Sequence, residues 1–149
     1  MSIELTPRQL AEIREHGETA YPEECCGFLL GVDAGHARRV HALHPARNVR
    51  EASARGRRYL VDPKEFLAAE AEARANRWEL LGVYHSHPDE AARPSEYDRE
   101  HAWPWYSYLI LSVLEGRPDA IRSWRLREDR SSFDEETLTV HDSGEPSCP

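Results

Sequence analysis

A chain of 149 residues, 40% hydrophobic and 31% charged, is the size of one ordinary domain with a single core and a well-solvated surface. Its 27 acids outweigh 19 bases for a formal net charge of −8, which repels phosphate and excludes a general nucleic-acid binder. No apolar run approaches the ~20 residues of a membrane helix, and MSIELTPRQL lacks the basic and apolar regions of a secretory signal, so no membrane partner and no export are expected.

The first predicted element is a helix over residues 6–18, with Thr6 as cap, Pro7 at the first helical position, and Leu10 and Ile13 as a short apolar stripe. Pro22 stops it, and an apolar strand follows from Cys25 to Val32. Asp33-Ala34-Gly35 signals a turn, ARRVHALHPARN alternates as a strand, VREASARG reads as a loop and RRYLVD as a short strand. Asp62 caps the clearest helix, with Pro63 first, Glu65 three after the cap, and helix formers to about Trp78. ELLGVYHSH is a buried strand, and PSEYDREHAW a short helix after a polar loop. Three further strands, YSYLILSVLE, DAIRSWRLRE and TLTVHD, are separated by Gly, Pro and Asp clusters. This order describes one mixed α/β domain over residues 1–140 with a largely antiparallel sheet flanked by helices. The tail 141–149, HDSGEPSCP, lacks periodicity and reads as disordered.

The cysteines are Cys25, Cys26 and Cys148, an odd, small count that fits reduced thiols in the cytoplasm better than a disulfide framework. Cys25 and Cys26 lie in an apolar strand and read as structural thiols rather than nucleophiles. Charge is uneven along the chain. Residues 38–58 hold seven arginines and one acid, whereas residues 128–149 hold seven acids and one arginine. These are solvated edges, or else an arginine-rich segment that steers an acidic partner.

The chemistry concentrates in GVYHSHPDEAARPSEYDRE, residues 82–100. His85 and His87 are two apart in a strand and therefore share a face, so both imidazoles can reach one ion. A catalytic zinc takes three protein ligands and keeps one position open, and Asp98 is a candidate third ligand. Each signal also has an ordinary reading: a histidine pair arises incidentally, and Ser95-x-x-Asp98 is a capping box. A proton acceptor for water is available at Glu23 or Glu24, and strand alternation does not choose between them. Trp103, Trp105 and Tyr106 are expected in the core, with a substrate groove near the site as the alternative, and His101 at the surface, with a supporting place behind the metal ligands as the alternative. His16, His36, His41, His44 and His141 show no ligand spacing.

Taken together, Glu24-x-Cys26-Gly27, then His85-Ser86-His87-Pro88, six residues, and Ser95-x-x-Asp98 resemble the motif of the JAMM (MPN+) metalloprotease family. The resemblance extends through PEECCGFLLG, GVYHSHP and YLILSVLEG and covers roughly residues 5–127. It implies an MPN domain, a curved sheet similar to that of cytidine deaminases. It also implies one Zn2+ held by His85, His87 and Asp98, with Glu24 as general base and Ser95 as hydrogen-bond donor to the oxyanion. Ser86 is expected to support the loop through local hydrogen bonds. Family members cut peptide or isopeptide bonds after the C-terminus of ubiquitin or ubiquitin-like proteins. The short loop DEAARPS resembles that of small prokaryotic members, some of which trim ubiquitin-like sulfur-carrier proteins or other C-terminally extended chains after a Gly-Gly end. The alternatives are a metal-free binding module of the same family, or a zinc hydrolase of another small amide.

Overall fold

The computed structural model describes residues 1–48 and 61–141. In chain order the elements are β1 (Ser2–Leu5), α1 (Pro7–Ala20), β2 (Cys26–Asp33), β3 (Ala37–Ala46), α2 (Pro63–Ala75), β4 (Glu79–Pro88), α3 (Glu96–His101), β5 (Ser107–Leu114), β6 (Arg117–Leu126) and β7 (Phe133–Val140). The strands close in the order β1-β3-β2-β4-β5-β6-β7. Antiparallel pairs join β2 to β3 and β4, and β6 to β5 and β7. Pairing is parallel between β4 and β5 and between β1 and both β3 and β7. The mixed, mainly antiparallel sheet is as expected, and its closure into a barrel is additional.

That closure depends on β1, a strand the sequence reading omitted. Its four residues place Ile3 and Leu5 in the core while Ser2 and Glu4 are half-buried. Four residues are too few for alternation to stand out, and only the open edges of β3 and β7 give the segment partners. β7 also begins earlier than expected, because Phe133 to Glu136 pair with Leu126 to Ser123.

The helices start where local chemistry dictates. The Thr6 hydroxyl accepts the Gln9 N–H at 3.1 Å, and the Gln9 side chain accepts the Thr6 N–H at 3.0 Å, a reciprocal cap. Asp62 caps α2 by accepting the Lys64 N–H at 2.9 Å, and the helix ends at Ala75, short of Trp78. α1 lies against β4, β5 and β6, and α2 against β2 and β4. One core cluster, under α1, gathers Ile3, Leu5, Leu10, Ile13, Tyr84 and Leu111. The second, under α2, gathers Phe28, Leu30, Ala69, Ala73, Val83 and Tyr108. Gly17 permits the close approach of α1, since a Cβ there would lie 2.4 Å from Leu111 Cδ2.

Arg38 is not part of a solvated arginine patch. It is buried and donates to Asp33, to the carbonyls of Leu81 and Trp105, and to the Ser107 hydroxyl. The arginines at 50, 55, 57 and 58, most of the expected RRYLVD strand, and the tail from 142 onward lie outside the described residues, although Val61 bridges to Asn48. His141 donates its N–H to the Leu5 carbonyl at 2.7 Å.

Candidate metal centre

The end of β4 brings His85 and His87 to the face that also carries Val83, as strand alternation requires. Both imidazoles are buried. The chain then leaves β4 through Asp89, whose φ is +58°, a backbone state that aspartate tolerates better than most residues. The loop is pinned to the sheet. Asp89 N–H donates to the Val113 carbonyl, Ser112 to the Glu90 carbonyl, and the Trp124 indole to the Ala92 carbonyl. It delivers Ser95 to the start of α3 as N-cap, one turn before Asp98.

Three ligand atoms now face one another. His85 Nε2 and His87 Nε2 are 3.2 Å apart, His87 Nε2 and Asp98 Oδ2 3.1 Å, and His85 Nε2 and Asp98 Oδ2 3.4 Å. A tetrahedral zinc with bonds of ~2.05 Å to nitrogen and oxygen separates neighbouring ligand atoms by about 3.3 Å. The triangle therefore has the size of one face of such a coordination sphere. Among the described residues this is the one group of three or more His, Cys, Asp or Glu side chains close enough to hold an ion together.

The tautomer of His87 and the neutral form of His85 suit that geometry, while in the metal-free chain Asp98 outweighs burial and raises His87 above the ordinary imidazole range. The Ala91 carbonyl lies 3.0 Å from His87 Nδ1 and accepts its proton, which leaves the Nε2 lone pair of a neutral imidazole pointing at the triangle. Burial pushes His85 below the ordinary imidazole range and so favours the neutral, ligating form. Burial alone raises the Asp98 carboxyl, but the two imidazoles and the Ser95 N–H outweigh it and hold the group well below the usual carboxylate range. Asp98 is thus an anion at any working pH.

Ser95 and Asp98 form the capping box that their spacing suggested. The Ser95 hydroxyl accepts the Asp98 N–H at 3.0 Å, and Asp98 Oδ2 accepts the Ser95 N–H at 2.8 Å. The two readings of this motif are compatible, because one carboxylate both caps α3 and faces the histidines.

Glu24 lies two residues before β2. Cys26 is paired with His85, and Cys25 and Ser86 exchange two bonds: Cys25 N–H to the Ser86 hydroxyl at 2.8 Å, and Ser86 N–H to the Cys25 carbonyl at 3.2 Å. Continuing this register puts Glu24 opposite His87 on the same face. Glu24 is 5% exposed, and its carboxyl is pushed up to about 8 by burial, against the pull of His87 and with the push of Asp98 and Glu90. Glu23 is half-buried, so burial distinguishes two carboxylates that the sequence left open. Ser86 is buried and acts across 61 residues, so the expected local role in the loop is replaced by a tie between the two strands.

Burial also lifts the thiols of Cys25 and Cys26 to about 11 and about 12, so both are neutral, structural groups. His101 is exposed, as expected, and stacks on Tyr97. Trp103 and Trp105 depart from expectation: they are 52% and 57% exposed and stack on each other at 5.2 Å. Trp103 and the half-buried Tyr106 line a cavity of about 330 Å3 that also touches His85 and Asp98.

Sequence reasoning missed the Ala91 carbonyl, a main-chain group without a side-chain signature. It also missed Arg130, which donates to the carbonyls of Ala102 and Glu100 at 2.9 and 3.3 Å, while Arg99 donates to the Arg130 carbonyl at 2.9 Å. Together they hold the C-terminal end of the six-residue helix that carries Asp98.

Comparison with known proteins shows the family of the chain. Residues 6–127 match the family model described as prokaryotic homologs of the JAB domain. The desampylase of Haloferax volcanii is 39% identical over 112 residues, 74% of this chain and 77% of the relative. A probable TtuB-protein conjugate cleaving protease of Thermus thermophilus is 31% identical over 119 residues, 80% of this chain and 72% of the relative. The solution structure of a protein from Desulfitobacterium hafniense superposes with a TM-score of 0.82 at 34% identity, covering 96% of this chain and 94% of that one. With most of its length matched, the chain belongs to the prokaryotic JAB-domain (MPN) family of metal-dependent hydrolases.

Proposed function

We propose that the chain is a zinc-dependent peptidase that hydrolyses the peptide or isopeptide bond after the Gly-Gly end of a ubiquitin-like sulfur-carrier protein. The observation that carries this reading is the triangle of His85, His87 and Asp98 beside one buried, proton-competent carboxylate. Two relatives named desampylase and conjugate cleaving protease support the substrate class. The net charge of −8 suits a protein substrate better than a nucleic acid. Free, buried thiols at Cys25 and Cys26 suit the cytoplasm.

His85, His87 and Asp98 hold one zinc per chain, which when bound polarises the scissile carbonyl and acidifies water. Glu24 takes the proton of the attacking water and passes it to the leaving amine, a role suited to a buried carboxyl on the face of the histidines. Ser95 donates its hydroxyl proton to the oxyanion, a charge that develops only as the transition state forms.

The test is mass spectrometry of a Gly-Gly-ended carrier bearing extra C-terminal residues. Release of the extension is expected, with loss of activity on chelation and recovery on adding zinc. Cleavage undiminished by a chelator overturns the zinc reading.

A further inference from the structure

The cavity of about 330 Å3 beside the metal ligands belongs to no part of the mechanism above. It is at the small end of ligand pockets, which run roughly 300–1,000 Å3, and so has room for one large side chain rather than a folded segment. Phe28, Phe66, Val83, Tyr108, Ile110 and Phe133 form its apolar walls, and Trp103 and Tyr106 contribute further aromatic surface. Among the described residues no Lys or Arg lines it, so burying a carboxylate side chain there has no strong cationic partner. Its polar edge is His85, Asp98 and His101. The Trp103 ring stacks on Trp105, 5.2 Å away, and its centroid lies 5.8 Å from the Arg130 guanidinium.

We propose that this cavity is the subsite for the residue that follows the scissile bond, and that it selects an aromatic or large aliphatic side chain there. The inference rests on the reading of the chain as a peptidase acting after a Gly-Gly end. Because His85 and Asp98 belong to both cavity and metal triangle, the scissile carbonyl sits at the cavity mouth. The glycine before the bond has no side chain to place in it. A side chain filling the cavity therefore comes from the leaving group, and one aromatic ring buries on the order of 150–250 Å2 against such walls.

The test uses zinc-loaded protein and Gly-Gly-ended carriers followed by a single Phe, Leu, Ala or Glu. Expected are kcat/KM values for Phe and Leu at least about tenfold above Ala, with Glu lowest, since even one methylene group in an apolar pocket discriminates by roughly 10–200-fold. Trp103→Ala and Phe66→Ala are each expected to collapse the Phe-to-Ala ratio. A second readout needs no catalysis: in metal-free protein, the indole NMR signal of Trp103 shifts on titration with Gly-Gly-Phe but not with Gly-Gly-Gly. Equal rates on all four carriers overturn the subsite and leave the peptidase reading intact. A ratio that survives both substitutions overturns its location. Cleavage of none of the carriers, with the Trp103 signal still responding to Gly-Gly-Phe, removes the peptidase reading but not the aromatic-binding cavity; with no response either, both fall.

Discussion

At Ser95 the hydroxyl oxygen accepts the Asp98 N–H, while its single proton remains available to a substrate oxyanion. Ser95→Ala therefore removes two things at once. Loss of the cap is expected to lower stability by ~1 kcal/mol. Loss of the donor is expected to lower kcat by about 10²–10³, with KM little changed. Denaturant melts and steady-state kinetics separate the two effects, and an unchanged kcat leaves Ser95 as a cap alone. For Glu24 the isosteric Glu24→Gln keeps the shape and removes the proposed proton relay. The expected result is one zinc per chain by metal analysis and no measurable cleavage. The same carboxyl has a stability signature in the metal-free protein. Burial raises its pKa from 4.5 to about 8 on folding, so its contribution is fully present below about pH 4.5 and is lost as pH rises through about 8. Urea midpoints between pH 5 and 8 should fall more steeply for wild type than for Glu24→Gln; parallel profiles would contradict a buried, raised carboxyl. The shared face of His85 and His87 was legible from strand alternation, whereas Asp98 as their neighbour came from the fixed gaps of the motif the chain resembles. Choosing Glu24 over Glu23 needed either the family resemblance or the register that sets it opposite His87.

Among the elements, α3 is too short to be stable alone, since isolated helices below roughly 12 residues are marginal in water. Its six residues are fixed at one end by the capping box and at the other by Arg130. Arg130 itself sits at φ +62°, in the loop between β6 and β7, and its N–H donates to the Arg127 carbonyl at 2.8 Å. Arg130→Ala is expected to loosen the turn that carries Asp98 and to weaken zinc binding by about 10–100-fold, the usual effect of removing a group that orients a ligand. Competition with a chromophoric chelator measures this, and Arg130→Lys, which lacks the planar fork, should recover little. Unaltered affinity would leave Arg130 as a surface residue of the loop. The existence of α3 was readable from Ser95 and the run after it. Its dependence on an arginine about 30 residues downstream was not, because no periodicity links them. The same holds for Ser86, whose partner Cys25 is adjacent only once β2 and β4 are paired.

At the level of the whole molecule, the site depends on a closed sheet. β1 joins β3 to β7 and contributes Ile3 and Leu5, 0% and 1% exposed, to the core under α1. Ile3→Ala is expected to lower unfolding free energy by ~2–5 kcal/mol, a cost read from denaturant midpoints and comparable to that of a mid-sheet core residue. A loss below ~1 kcal/mol would mean that the closing strand adds little. The parallel pairing of β4 with β5 matters to function as well. It requires a crossover, and that crossover is the loop and short helix that return Asp98 over the histidines. By itself the sequence pointed to His85, His87 and Asp98 as one group, since residue type and spacing are local facts and the resembled motif is made of fixed gaps. It also determined most of the elements, through caps, prolines and apolar alternation. Only the tertiary structure decided how the sheet closes, which glutamate is buried, which carbonyl orients His87, and that Trp103 and Trp105 stand at the surface beside a cavity. Those outcomes depend on packing between segments far apart in the chain, where burial and hydrogen-bond satisfaction override local preference.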